Sequence, residues 1–221
     1  MPELPEVETV VRGLAAFLPG RCIDRVTVLD PKAVQPLAPR SFVRRLTRAR
    51  FVSVARRGKY LHFVLDRLQL VSHLRMTGKF VVAPEDPASP HVRLVFLLDD
   101  GSELWYHDPR RFGTHHLYSP ETLPEELARL GPEPLDLRLR PGALAAAAAR
   151  RSVAVKQLLL DQRFLAGLGN IYVCEALFAA RIPPERPAAA LSPAEWATLL
   201  AALRAILRRA IRCNGTTISD F

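Results

Sequence analysis

The sequence predicts an α+β protein in which a β-rich N-terminal domain, led by one helix, is joined to an all-α domain. Helix-spaced apolar residues mark the start of the chain and its last third, and short Val-, Leu- and Phe-rich segments fill the stretch from Cys22 to about Tyr118. Between these regions lies GPEPLDLRLRPG, residues 131–142, whose prolines and glycines read as a linker. Residues 1–130, 131–140 and 141–221 are thus the expected β-rich domain, hinge and helical domain. A length of 221 residues suits two modest domains, and an apolar fraction of 49% is too high for a disordered chain.

The elements follow in order. Val7, Val10, Val11, Leu14, Phe17 and Leu18 recur as one helical face, with Pro5 and Glu6 suited to the first turn and Pro19-Gly20 to the end. Asp99-Asp100-Gly101-Ser102 reads as a hairpin turn within the β-rich part. Helices are expected over the alanine run 143–149, around 155–161, over 170–180 and from Ser192 to about Arg212. The last has a strong start signal, with a capping serine, Pro193 at the first helical position and Glu195 three residues after the cap.

The formal charge is +9, with 19 basic against 15 acidic residues up to position 130 and 12 against 7 beyond it. Eight basic residues and no acidic one fall between Arg40 and Lys59. Such density suits a polyanion, and a solvated strand face accounts for it equally well. No apolar run reaches the roughly 20 residues of a membrane-spanning helix, and the acidic start is unlike a secretory signal. A cytoplasmic protein without membrane contact is expected. Cys22, Cys174 and Cys213 lack CxxC spacing and read as inert thiols.

Three stretches carry possible chemistry. In MPELPEVETV, trimming of the initiator methionine leaves Pro2 as a secondary amine able to form an iminium ion with an aldehyde-like carbon. The positive end of the following helix favours the unprotonated amine, and the carboxyl groups of Glu3 and Glu6 could shuttle protons beside it. Proline and glutamate are equally ordinary first-turn residues. In LAGLGNIY, Gly167 and Gly169 allow a tight double turn, and Asn170 can cap the next helix, whose exposed N–H groups form an anion site. This stretch does not fit the GxGxxG dinucleotide pattern.

In YHDPRRFGT, with HLRMTGKF upstream, Arg110, Arg111 and Phe112 place two cations beside an aromatic ring, and Met76 could join them as an apolar wedge for a base taken out of a duplex. Core packing of Met76 and Phe112 is the ordinary alternative. A zinc site from His107, Asp108, His115 and His116 lacks helical or ribbon spacing, and no GxSxG elbow supports hydrolase chemistry.

Taken together, PELPEVETV, RRGKYLHF, HLRMTGKF, DPRRFGT and LLLDQRFLAGLGNIYVCEALF, in this order across nearly the whole chain, resemble the bacterial formamidopyrimidine-DNA glycosylases. Leu4 favours this branch over the endonuclease VIII group, which typically reads PEGPE. The resemblance implies an N-terminal β-sandwich, a hinge and a helix-two-turns-helix domain. It implies excision of oxidised purines, chiefly 8-oxoguanine and formamidopyrimidines, from double-stranded DNA, followed by strand cleavage at the abasic site, with the protein acting as a monomer at the bacterial nucleoid.

By the same resemblance Pro2 is the Schiff-base nucleophile, Glu3 the proton donor for ring opening and base release, and Lys59 a proton-transfer and phosphate contact in β-elimination. His73, His91, Arg110, Arg151, Lys156 and Asn170 contact DNA, and Met76, Arg110 and Phe112 fill the space left by the flipped nucleotide. Family members usually continue into a lesion-contacting loop and a four-cysteine zinc ribbon, whereas this sequence ends at TTISDF. Two expectations follow: a fragment of a longer protein, or a truncated paralogue with reduced DNA affinity and silent chemistry. No metal or cofactor is expected in this chain. Cys213-Asn214-Gly215 stands where the family pattern has paired glycines.

Overall fold

The computed structural model describes residues 2–82 and 89–215. Helix α1 (Leu4–Phe17) begins at Glu3, whose backbone is extended and whose N–H donates to the Glu6 carboxylate at 2.9 Å. Strands β1 (Ile23–Val28), β2 (Phe51–Arg57), β3 (Tyr60–Leu65), β4 (Gln69–His73), β5 (Lys79–Val82), β6 (Val92–Leu98), β7 (Glu103–His107) and β8 (Thr114–Tyr118) follow. They form two antiparallel four-stranded sheets, ordered β1-β6-β7-β5 and β2-β3-β4-β8. In β3 and β6 every second residue is buried, the period of a sheet with one face on a core. The two inner faces meet through aromatic rings: Phe63 of one sheet lies 5.4 Å from Phe80 of the other, with ring planes at 68°.

The basic run from Arg40 to Lys59 is not a single strand face. Arg40, Arg44 and Arg45 belong to helix α2 (Pro39–Leu46), and β2 starts at Phe51. Two buried apolar residues four apart, Phe42 and Leu46, are enough to hold this short helix against the sandwich, too sparse a pattern to stand out among arginines.

After the sandwich come helix α3 (Glu125–Ala128), then α4 (Pro141–Ala148), α5 (Val155–Leu160), α6 (Asn170–Ala180) and α7 (Pro193–Arg212). Helix α7 starts at a Ser192–Glu195 capping box and packs against α6, α4 and α1. Its stripe of Trp196, Leu199, Leu200, Leu203 and Leu207 is fully buried. Arg204 reaches out of this helix to the connecting segment, donating to the carbonyls of Pro134, Asp136 and Leu139 at 2.7–2.9 Å.

The buried apolar residues form two clusters, one between the sheets and one among the helices. Helix α1 serves both: Val7, Val10, Val11 and Leu14 enter the first, and Leu4 enters the second. The start of the chain is therefore seated between the two cores. Cys22 is buried, Cys174 half-buried and Cys213 exposed, and all three are free thiols. Among the described residues no helix is long and apolar enough to cross a membrane.

Candidate active site

The chain start and the LAGLGNIY turn meet across the whole length of the sequence. Glu3 is 2% exposed, and its carboxylate accepts the Gly169 N–H at 2.7 Å and the Ile171 N–H at 2.9 Å. The Leu4 N–H donates to the Gly167 carbonyl at 2.9 Å. The amides at the start of α6 thus hold an anion, as expected of a helix N-terminus, but the anion is this protein's own Glu3 rather than a phosphate. A Cβ on Gly169 would come within 2.4 Å of the Glu3 carboxyl carbon, so only glycine permits this approach. Gly169, not Asn170, occupies the capping position, which leaves Asn170 exposed as the first helical residue.

The turn is held from inside by Gln162, whose amide donates to the Leu160 and Leu168 carbonyls at 3.0 and 2.8 Å and accepts from Gly167 at 2.9 Å. Tyr172, one turn into α6, donates its hydroxyl to Glu6. Neither residue stands out in the sequence, because each acts through a partner distant in the chain or through backbone.

Lys59 is delivered by the tip of the β2–β3 hairpin. The closing pair is Arg57 with Tyr60, leaving Gly58 and Lys59 as a two-residue turn, and Gly58 takes the positive φ of 59° that such a turn asks of its first central residue. The tip is pinned by Glu133, which accepts from the Gly58 N–H at 2.7 Å, Arg56 at 2.8 Å and Arg57 at 3.0 Å. Lys59 itself is 6% exposed. Burial pulls its ammonium below the usual lysine range, and the nearby Glu3 and Glu6 charges oppose this.

His73 lies beside it, paired in register with Tyr60 and edge-on to the Tyr60 ring at 4.6 Å. Its Nδ1 accepts from the Arg75 N–H at 2.9 Å, which assigns the proton to Nε2. Burial, with lesser contributions from Arg75 and Lys59, lowers its pKa to about 3, so it is a neutral donor at physiological pH.

Met76, Arg110 and Phe112 come together through Asp108. One oxygen of this buried carboxylate accepts from the Thr77 hydroxyl at 2.5 Å and the Arg110 N–H at 3.2 Å; the other accepts the N–H groups of Phe112 and Gly113, both at 2.9 Å. Met76 and Phe112 are 41% and 45% exposed, so neither is a core residue. The Arg110 guanidinium sits 4.9 Å from the Phe112 ring centroid. Sequence reasoning missed the role of Asp108; the Asp-Pro pair in HDPRRFG is a local turn signal, but its bond to Thr77 exists only in the tertiary structure.

His91 is exposed and edge-on to His107 at 5.5 Å, and its carbonyl accepts the Asp108 N–H at 2.9 Å. Arg151 is exposed beyond the end of α4, and Lys156 is half-buried in the first turn of α5. These two lie in the helical part with Asn170, away from the hairpin and wedge elements in sequence. The residues weighed as zinc ligands have separate partners: His107 bonds Ser89, His115 bonds Ser72, His116 bonds Glu126, and Asp108 holds the wedge loop.

The family model described as the formamidopyrimidine-DNA glycosylase N-terminal domain matches residues 1–115, and that of the H2TH domain matches residues 130–221. The formamidopyrimidine-DNA glycosylase of Symbiobacterium thermophilum is 49% identical over 99% of this chain and 73% of its own length. That of Geobacillus kaustophilus is 44% identical over 100% and 82%. Among solved structures, a complex between the Lactococcus lactis Fpg and an abasic site containing DNA superimposes with a TM-score of 0.92 at 35% identity, covering 99% of this chain and 82% of that one. The five motifs, the two-sheet and helical architecture and these likenesses along this whole chain agree, and the chain belongs to the formamidopyrimidine-DNA glycosylase family.

Proposed function

We infer that this chain is a base-excision DNA glycosylase that removes 8-oxoguanine and formamidopyrimidines from duplex DNA and then cleaves the strand at the abasic site. The observation that carries the reading is the junction between the two cores, where Glu3 is bound across 166 positions of sequence to the start of α6 and Lys59 is buried within reach of its charge. Relatives whose likeness spans the whole chain include structures with abasic-site DNA, which disfavours a silent DNA-binding module. A bacterial enzyme of this kind works in the cytoplasm, at the nucleoid.

The chemistry balances with this chain's own groups and water. With Met1 trimmed, the Pro2 nitrogen attacks C1′ of the damaged nucleotide; the N–C1′ bond forms as the glycosidic bond breaks, and the departing base takes a proton from water. The proton that the Pro2 nitrogen loses passes to the Glu3 carboxylate, which gives it to the sugar ring oxygen as the ring opens, leaving an iminium ion between Pro2 and C1′. That cation acidifies C2′. Loss of the C2′ proton forms a C2′–C3′ double bond and expels the 3′ phosphate, with Lys59, whose pKa burial lowers, relaying the proton and contacting phosphate. Water then hydrolyses the iminium and frees the amine.

His73, His91, Arg110, Arg151, Lys156 and Asn170 bind the DNA, and Met76, Arg110 and Phe112 occupy the vacated stack. Borohydride reduction should trap the protein covalently on an 8-oxoguanine duplex and on a duplex with a pre-formed abasic site. Pro2→Gly should weaken both adducts. A chain with an unblocked Pro2, verified by mass spectrometry, that traps neither duplex would refute the reading.

A further inference from the structure

The second arginine of the wedge loop does not behave like the first. Arg111 turns away from Arg110 and Phe112 and makes a bidentate pair with Asp30, Nε to Oδ2 at 2.6 Å and Nη2 to Oδ1 at 2.9 Å. Asp30 follows β1, in the same sheet as the β7 strand from which the wedge loop leaves, and is 4% exposed, although its partner's side chain is about half exposed. The same Oδ1 accepts the Lys32 N–H at 3.1 Å. Lys32 in turn carries its ammonium to 5.7 Å from the Phe112 ring centroid, on a ring already flanked by Arg110.

Arg111 adopts a left-handed backbone, φ 58°, which residues other than glycine seldom adopt. That turn lets the following two N–H groups, of Phe112 and Gly113, both reach Asp108. Arg93 ties the two carboxylate centres together: its carbonyl accepts the Leu29 and Asp30 N–H groups, and its Nε donates to the Asp108 carbonyl at 2.8 Å. A half-exposed phenylalanine has little packing of its own to fix its direction. Here its loop is fixed on one side by Asp108 and on the other by Asp30.

We propose that Asp30 and Arg111 are positioning residues for base extrusion, a strut that aims Phe112 at the duplex and sets Lys32 beside it, so that Arg111 is not itself a DNA contact. This rests on the glycosylase reading above. A wedge aids the extrusion of a stacked nucleotide, and it is needed far less at an abasic site, where no base has to leave the stack. The strut should therefore matter for the intact lesion and little for the abasic site.

The test is a single-turnover comparison of 8-oxoguanine excision with cleavage of a pre-formed abasic site in the same duplex. The proteins are the wild type, Asp30→Asn, Arg111→Met, Phe112→Ala and the double variant Arg111→Met/Phe112→Ala. Asp24→Ala in β1, which removes a surface pair with Arg48, is the control. Expected is a loss of about tenfold or more in excision for Asp30→Asn and Arg111→Met with abasic cleavage within about threefold of wild type. The double variant should be no slower than Phe112→Ala, because the strut acts through the ring.

Equal losses on both substrates, additive losses in the double variant, or no loss at all would overturn the proposal. Arg111→Met alone suffices if Asp30→Asn does not fold, since Arg111 is half exposed. A wild type inactive on both substrates would instead remove the glycosylase reading, and this inference with it.

Discussion

At the scale of single residues, Glu3 is confined more tightly than any other proposed catalytic group. Both carboxylate oxygens face backbone N–H donors, so a glutamine there must turn its NH2 toward one of them. Glu3→Gln should lower stability by about 1–3 kcal/mol and base excision by about 10²-fold or more, read by calorimetry and single-turnover excision. Gly169→Ala should mimic the catalytic loss, because the added Cβ overlaps the Glu3 carboxyl group. Gly142→Ala, a change in α4 with no atom within 4 Å of the new Cβ, should be neutral or stabilising by up to about 1 kcal/mol. Lys59→Arg keeps the charge but cannot surrender a proton, so abasic-site cleavage should fall at least about tenfold while binding to the same duplex is retained.

At the scale of elements, the β2–β3 hairpin is positioned by the connecting segment rather than by its own strands. Glu133 gathers two arginines and the Gly58 amide, and Arg57 also donates to the Leu130 and Gly131 carbonyls. Glu133→Ala leaves Arg56, only about a tenth exposed, with Glu8 as its remaining carboxylate partner. Thermal denaturation should report a loss of about 2–3 kcal/mol, and abasic cleavage should drop although Lys59 is intact. If the hairpin held Lys59 by itself, stability would fall and cleavage would not. The sequence named this hairpin's lysine but gave no hint of its anchor, since Glu133 lies 75 positions from Gly58 inside a proline-rich segment.

For the whole molecule, the charge of +9 and two buried histidines set the response to solution conditions. Arg151→Ala and Lys156→Ala should each weaken DNA binding regardless of sequence and reduce the slope of log K against log salt by about 1. Asn170→Ala should weaken binding without changing that slope. Burial holds both His73 and His115 to about 3, below the 6.5 of an unfolded histidine. The unfolded chain therefore takes up more protons between these values, so stability is full above about pH 6.5 and declines as pH falls toward 3. At pH 4.5 each histidine should cost on the order of 3 kcal/mol. The melting temperature should fall accordingly on acidification, and less steeply in His73→Gln.

Local chemistry is what the sequence by itself determined: the helix start at Pro5 and Glu6, the Asp99–Ser102 hairpin, the linker prolines, the Ser192 capping box and the motifs that carry the family likeness. Such signals are written in residues a few positions apart, because helix periods, turns and caps are short-range devices. The tertiary structure decided what fills the anion site of α6, which residue caps that helix, and how the two wedge loops and the second arginine are held. Those outcomes depend on carboxylates brought next to amides and guanidiniums from remote parts of the chain. No spacing rule records which buried donor a distant acceptor will satisfy; only the closing of the two cores around α1 settles it.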